Sequence, residues 1–186
     1  MKRLLLGAGL VVLSAAVRAE SWVLEKSVLT YHVTHTLHKV EGTSTAARGK
    51  GVCDEKGCQF LAAATVGSFL SGDTNRDLHM LETTRGAAFP VVKVSVALAK
   101  VPSDKTFTAD LAIEFSGEKA TYKAVPFTVV DRPADGLHFT GVIPLNIDDF
   151  KIPAPSLLGM DIKHQVPVDV DMTWGKRVDQ ATLGNK

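Results

Sequence analysis

The chain has 186 residues, with 21 Lys and Arg against 20 Asp and Glu, and only 2 Cys. That length suits one domain able to bury a sizeable core. The near-neutral charge, with no run of Lys or Arg, lacks the footprint of a nucleic-acid partner or of a polybasic membrane patch.

Lys2 and Arg3 precede an apolar run from Leu4 to Val17 and then the small residue Ala19. This is the pattern of a secretory signal peptide over residues 1–19, cleaved after Ala19, so the mature chain is expected in the periplasm or secreted. Cleavage would remove Lys2, Arg3 and Arg18, leaving 18 basic against 20 acidic residues, a charge of about −2. No later stretch approaches the roughly 18 apolar residues of a spanning helix, and a soluble mature protein is expected.

After residue 19 the apolar residues recur with period two, the mark of strands with one apolar face. The first predicted strand is Val28 to Leu37, followed by a long pair, Val40 to Val52 and Cys58 to Val66. The segment Val66 to Pro90 is too long for a hairpin. Within it, Thr74 and Asp77 read as a capping box, predicting a short helix over Asn75 to Thr83. Strands follow at Val92 to Leu98, Phe107 to Phe115, Tyr122 to Asp131 and Leu137 to Ile147, with a turn at Pro133 to Gly136. A second break, Asp148 to Gly159, carries Pro153 and Pro155. The last strand is predicted from Ile162 to Trp174, stopping before Gly175. The domain is thus residues 20–175, with a flexible tail over 176–186.

The class is all-β: about eight antiparallel strands whose single apolar face turns inward when the sheet closes into a barrel, with one short helix in a crossover. Such a barrel is just wide enough to be filled by side chains or to hold one small ligand. The run Gly42 to Ala47 and the later Ala62, Ala63 and Ala64 are too small to fill it at normal packing density, and an apolar cavity is inferred. The competing arrangement folds Trp22, Phe60 and Phe69 inward to fill the space.

Cys53 and Cys58 flank Asp54 to Gly57, a four-residue turn. Spacing and export favour a bridge across this hairpin, over a redox dithiol, usually spaced by two, or a zinc site, which needs two further ligands. His32, His35 and His38 invite a metal reading, but on a strand His35 shares a face with Tyr31 and Val33 while His32 points away. No metal or other cofactor is expected. His35 is a candidate interior polar group. Arg76, Asp77 and His79 cluster on the short helix, with Arg76 and His79 three apart; they either cap it and tie the crossover to the barrel through charged hydrogen bonds, or ring a cavity mouth and meet a head group. Phe115, Phe127 and Phe139 on later inward faces complete the candidate ligand-binding set with Tyr31, Val33, His35, Arg76 and His79. No nucleophile motif or glycine-rich phosphate loop is found.

Four stretches of this sequence resemble the YceI-like lipid or polyisoprenoid-binding family: Tyr31 to His35 with Gly42; the block Ser71 to Met80, similar to that family's Arg-Asp-x-His-Leu motif; Phe89 and Pro90; and Ile143, Pro144, Leu145, Asp149, Phe150 and Ile152 with the Val-rich last strand. The interval from His35 to Gly42 is one residue shorter, Thr83 to Ala88 replaces a Phe-Phe-Asp stretch, and the cysteines are an addition. The resemblance implies a lipocalin-like eight-stranded barrel around a long-chain isoprenoid, an isoprenoid quinone or a similar amphiphile, with no accepted catalytic activity. The expected partner is therefore an apolar lipid, with a membrane only as its source; a homodimer stays open. Two alternatives remain: a lipid-modifying enzyme using His35, Arg76 and His79, or a structural or stress-response module whose barrel is packed shut.

Overall fold

The computed structural model describes residues 19–34, 39–157 and 160–177. Its strands are β1 (Glu20–Thr34), β2 (Lys39–Ser44), β3 (Arg48–Asp54), β4 (Gly57–Thr65), β5 (Val91–Leu98), β6 (Thr106–Phe115), β7 (Glu118–Asp131), β8 (Leu137–Ile143), the short β9 (Ser156–Leu157) and β10 (Met160–Asp161), and β11 (Val168–Arg177). One helix, α1 (Thr74–Thr83), lies in the β4–β5 connection. Among the described residues, eight strands close antiparallel in the order β1, β3, β4, β5, β6, β7, β8, β11 and back to β1, with β2 as an extra strand on β1. Closure leaves β1 and β11 no free edge, which is how the barrel avoids exposing unpaired backbone.

The first strand starts eight residues earlier than the alternation indicated. Trp22 and Leu24 are buried, but so are Ser27 and, in part, Leu29, Tyr31 and Val33, so the inward parity changes from even to odd. The change is a bulge: Leu24 pairs with Trp174 and Lys26 with Thr173, leaving Glu25 unmatched. An extra residue hides the strand from a period-two reading. Gly175 does not end the last strand either. It pairs with Val23, and a side chain there would collide with that of Glu25; the strand continues to Arg177, with Lys176 pairing to Glu20 at 2.5 Å. Lys176 and Arg177 therefore belong to the barrel, and the rest of the expected tail lies outside the described residues.

The expected strand from Val40 to Val52 is broken at residues 45–47. Ser44 Oγ accepts from the Ala46 backbone N–H (3.2 Å) and bonds Ser68 Oγ at 2.7 Å, while Thr43 exchanges two backbone bonds with Leu70. A short polar side chain thus offers the backbone a turn that competes with the ladder. Asp54 pairs with Gly57 around a two-residue turn, shorter than expected, and Cys53 faces Cys58 directly in a disulfide with a Cα separation of 4.0 Å. Gly57 has φ +128, and a Cβ there would meet the Leu98 carbonyl, so only glycine fits.

The helix begins one residue before its predicted start. Asp73, not Thr74, is the N-cap, accepting from the Arg76 N–H at 3.0 Å, and the Asp77 carboxylate accepts from the Ser71 N–H at 2.9 Å. At the other side, β8 stops at Ile143 because Pro144 cannot donate to the ladder. Residues 144–157 and 160–167 then form a cap in which Ile147, Ile152 and Phe150 are buried, Phe150 fully. Pro167 likewise delays the last strand to Val168.

Candidate functional site

Two ends of the barrel can be told apart by their loops. The lower end carries the Glu55–Lys56 turn and the β5–β6 and β7–β8 connections; the upper end carries the crossover with α1, the Ser116–Gly117 turn and residues 144–157 and 160–167. Inside lies an apolar cavity of about 550 Å³. Alternating residues of several walls line it as the periodicity predicts: Val92, Val94, Val96 and Leu98 of β5, Phe107 to Phe115 at odd positions of β6, and Val168, Val170 and Met172 of β11. Ala47, Ala62, Ala63 and Ala64 supply the room that was inferred from their size.

The lower end is filled. Phe60 packs edge-on against Trp174 at 5.1 Å and against Trp22 at 6.2 Å between ring centroids. These rings fit because β3 places Gly49 beneath Trp174 and Gly51 beneath Phe60. Facing them, Phe107, Phe127 and Phe139 form a second cluster with centroids 5.2 to 5.5 Å apart. Trp22 and Trp174 are each 5% exposed, so this floor is shut to solvent. The Trp22 Nε1 is buried there without a hydrogen-bond partner. Inward-folded aromatics therefore do fill part of the barrel, but only this part; Phe69 instead rests near Tyr31 (6.0 Å) in the upper half. A barrel packed shut throughout is not what the chain forms.

The upper end is spanned by α1, which buries none of its residues. Its Asn75, Arg76, His79, Met80 and Thr83 face the void, together with Val33, Val40, Pro155 and Ile162. Arg76 Nε lies 3.6 Å from Asp73, and His79 Nδ1 3.9 Å from Glu82, both pairs largely exposed. Burial pushes the Tyr31 hydroxyl above its usual pKa, with Asp77 adding to the rise and Arg76 opposing it. Below this rim, among the described residues, the walls carry no charged side chain. The arrangement can therefore shelter a hydrocarbon chain and offer donors to a polar group at its upper end.

Of the eight candidate ligand-binding residues, seven line this cavity. Tyr31, Val33, Arg76, His79 and Phe115 stand in the upper half, and Phe127 and Phe139 in the floor cluster. His35 lies outside the described residues. His32 points out of the barrel, as its parity requires, between Asp169 (2.9 Å) and Glu41 (3.1 Å); its hydrogen bond to Asp169 raises its pKa most, desolvation opposes the rise, and the bond to Glu41 adds to it.

The anchoring of the crossover through Arg85 and Ser116, rather than through Arg76, Asp77 and His79, was not read from the sequence. Arg85 Nε donates to Ser116 Oγ at 3.0 Å, another guanidinium N–H reaches the Ser116 carbonyl, and Ser116 Oγ donates to the Thr84 carbonyl at 2.8 Å. Ser116 and Gly117 form a tight turn with φ 51 and 82, which sets the serine beside the end of the crossover. A Ser-Gly pair between two strand patterns was the available signal. On the other side, the Tyr122 hydroxyl donates to Asp149 (2.6 Å) and accepts from the Asn146 N–H (2.9 Å), and burial pushes its pKa up to about 12.

A closed antiparallel barrel with a crossover helix over an internal apolar chamber is a lipocalin-like architecture. More narrowly, the fold is YceI-like, as solved structures show. A polyisoprenoid binding domain from Saccharophagus degradans superposes with a TM-score of 0.68 at 16% identity, covering 84% of this chain and 98% of that one. BcnA of Burkholderia cenocepacia gives 0.67 at 15% identity, over 79% and 95% of the two chains. The Campylobacter jejuni YCEI protein gives 0.52 at 9% identity, over 96% and 100%. Neither a protein-family model nor a curated protein sequence matches the chain.

Proposed function

We propose that this protein is an exported binding protein that holds a long-chain isoprenoid, an isoprenoid quinone or a similar amphiphilic lipid, as carrier or store. The observation that carries this reading is the cavity of about 550 Å³, apolar from its aromatic floor to the rim at α1. The similarity in fold to a polyisoprenoid binding domain supports it. So does the bridged Cys53–Cys58 pair, since disulfides persist in oxidising compartments such as the periplasm. The N-terminal signal pattern points the same way.

Tyr31, Val33, Arg76 and His79, together with His35, meet the head group; Phe115, Phe127 and Phe139 contact the chain. Burying ten methylenes of a tail gives about 8 kcal/mol gross. Immobilising ligand and chain subtracts several kcal/mol and still leaves useful affinity. Binding needs no covalent step, and the lipid leaves as it entered. Native mass spectrometry of gently purified protein, followed by lipid extraction, should show a co-purified isoprenoid of unaltered structure. A protein that emerges empty and ignores added isoprenoids would sink the proposal, and one that returns a chemically changed lipid would move it to the enzyme reading.

A further inference from the structure

We propose that Phe60, held between Trp22 and Trp174, sets the length of hydrocarbon chain that the cavity accepts. This rests on the binding reading above and adds to it a specificity-determining residue.

Most lining side chains project from the strand walls and narrow the void from the side. Phe60 and its two neighbours, facing the Phe107, Phe127 and Phe139 cluster, close it at its lower end. All three rings line the void, but the two tryptophans are almost fully buried whereas Phe60 is only partly buried. The ring surface it leaves open is the surface a chain end meets. Its position is imposed rather than free: Gly51 pairs with both Trp22 and Phe60, and any side chain on Gly51 would collide with the Phe60 ring. Edge contacts with both indoles complete the clamp.

The same floor determines what the far end of the ligand can be. It presents mostly ring carbon, and Trp22 Nε1 is buried there without a hydrogen-bond partner. A polar group carried down among these rings would lose its water for little hydrogen bonding in return. The chain end is therefore unfunctionalised hydrocarbon, and the polar group of the lipid stays beside α1.

The two tryptophans of the chain, Trp22 and Trp174, both sit in this floor, so tryptophan emission reports on its occupancy. Linear prenols, each one isoprene unit longer than the last, would be titrated into delipidated protein, with binding read by native mass spectrometry and floor contact by emission. Short prenols should bind without altering emission, and the change should set in at the length whose end reaches Phe60, where affinity also stops rising. Phe60→Ala should move that length up by about one isoprene unit, since the lost ring has nearly the volume of one. Ala62→Phe, which adds a ring in the hollow half, should move it down and carries the test even where Phe60→Ala fails to fold by circular dichroism. Binding of all lengths with an unmoved limit in the folded variants, or an emission change already complete with the shortest prenol, would overturn the role of Phe60 while leaving lipid binding intact. Failure of the wild type to bind any prenol would overturn both.

Discussion

At the lower end of the barrel, Gly49 and Gly51 lie beneath the rings of Trp174 and Phe60; on the next strand, Ala62, the register partner of Gly49, and Ala64 face a void. Both pairs are small residues on inward positions of neighbouring strands. In one place a large side chain from across the sheet occupies the vacated space, and in the other none does. Small residues thus mark where a barrel wall is thin, while the reach of the opposing side chains decides whether the space is filled. The filled half supplies stability, and the hollow half gives some of it up to keep a chamber.

That contrast can be broken from either side. The largest effect is expected in the floor: Trp174→Ala should cost about 3–5 kcal/mol in a denaturant titration, as for other buried aromatics cut to alanine. Adding a ring in the hollow half, by Ala62→Phe, should change stability by less than about 1 kcal/mol, because the new side chain enters existing space; a cost like that of overpacking would show the chamber to be filled.

Smaller effects sharpen the comparison. Reducing the Cys53–Cys58 bridge, which spans a separation of 5 residues at the filled end, should cost about 2 kcal/mol by the loop-entropy estimate. The readout is the denaturation midpoint with and without reductant. Arg85→Ala removes the charge-assisted bonds to the buried Ser116 and should cost about 1–2 kcal/mol. Its sharper signature is faster amide exchange in α1 with floor strands unchanged, since α1 has little packing of its own to hold it.

The smallest effect is electrostatic and sits on the outer wall. The hydrogen bonds from Asp169 and Glu41 raise the pKa of His32, so the folded state binds its proton more tightly than the unfolded state. The stabilisation is fully present below the unfolded value of about 6.5 and fades as pH rises through the higher folded value. Wild type should therefore lose stability relative to His32→Gln across that window. Equal pH profiles for the two would show that the clamp contributes nothing.

The sheet was legible because most strands carry an uninterrupted alternation: Val92 to Leu98 and Phe107 to Phe115 could face only one way. The start of β1 was not, because Glu25 is inserted without any local mark, and neither was the continuation through Gly175, whose missing side chain is explained only by Glu25 on the neighbouring strand. The candidate site was legible in its members and not in their grouping. Arg76 and His79 were placed together by helical spacing, whereas Phe127 and Phe139 share a cluster with Phe107 through pairings across three strands.

What the sequence by itself determined was the all-β class, the inward face of most strands, the crossover helix and the surplus of small inward residues, all of which follow from periods of two to four along the chain. Tertiary structure alone decided which of those small residues are covered. Phe60 meets Gly51 within the β3–β4 hairpin, but the closure that sets Trp174 over Gly49 joins residues far apart in the chain, and volume left between strands is a property of the closed barrel and of no one strand.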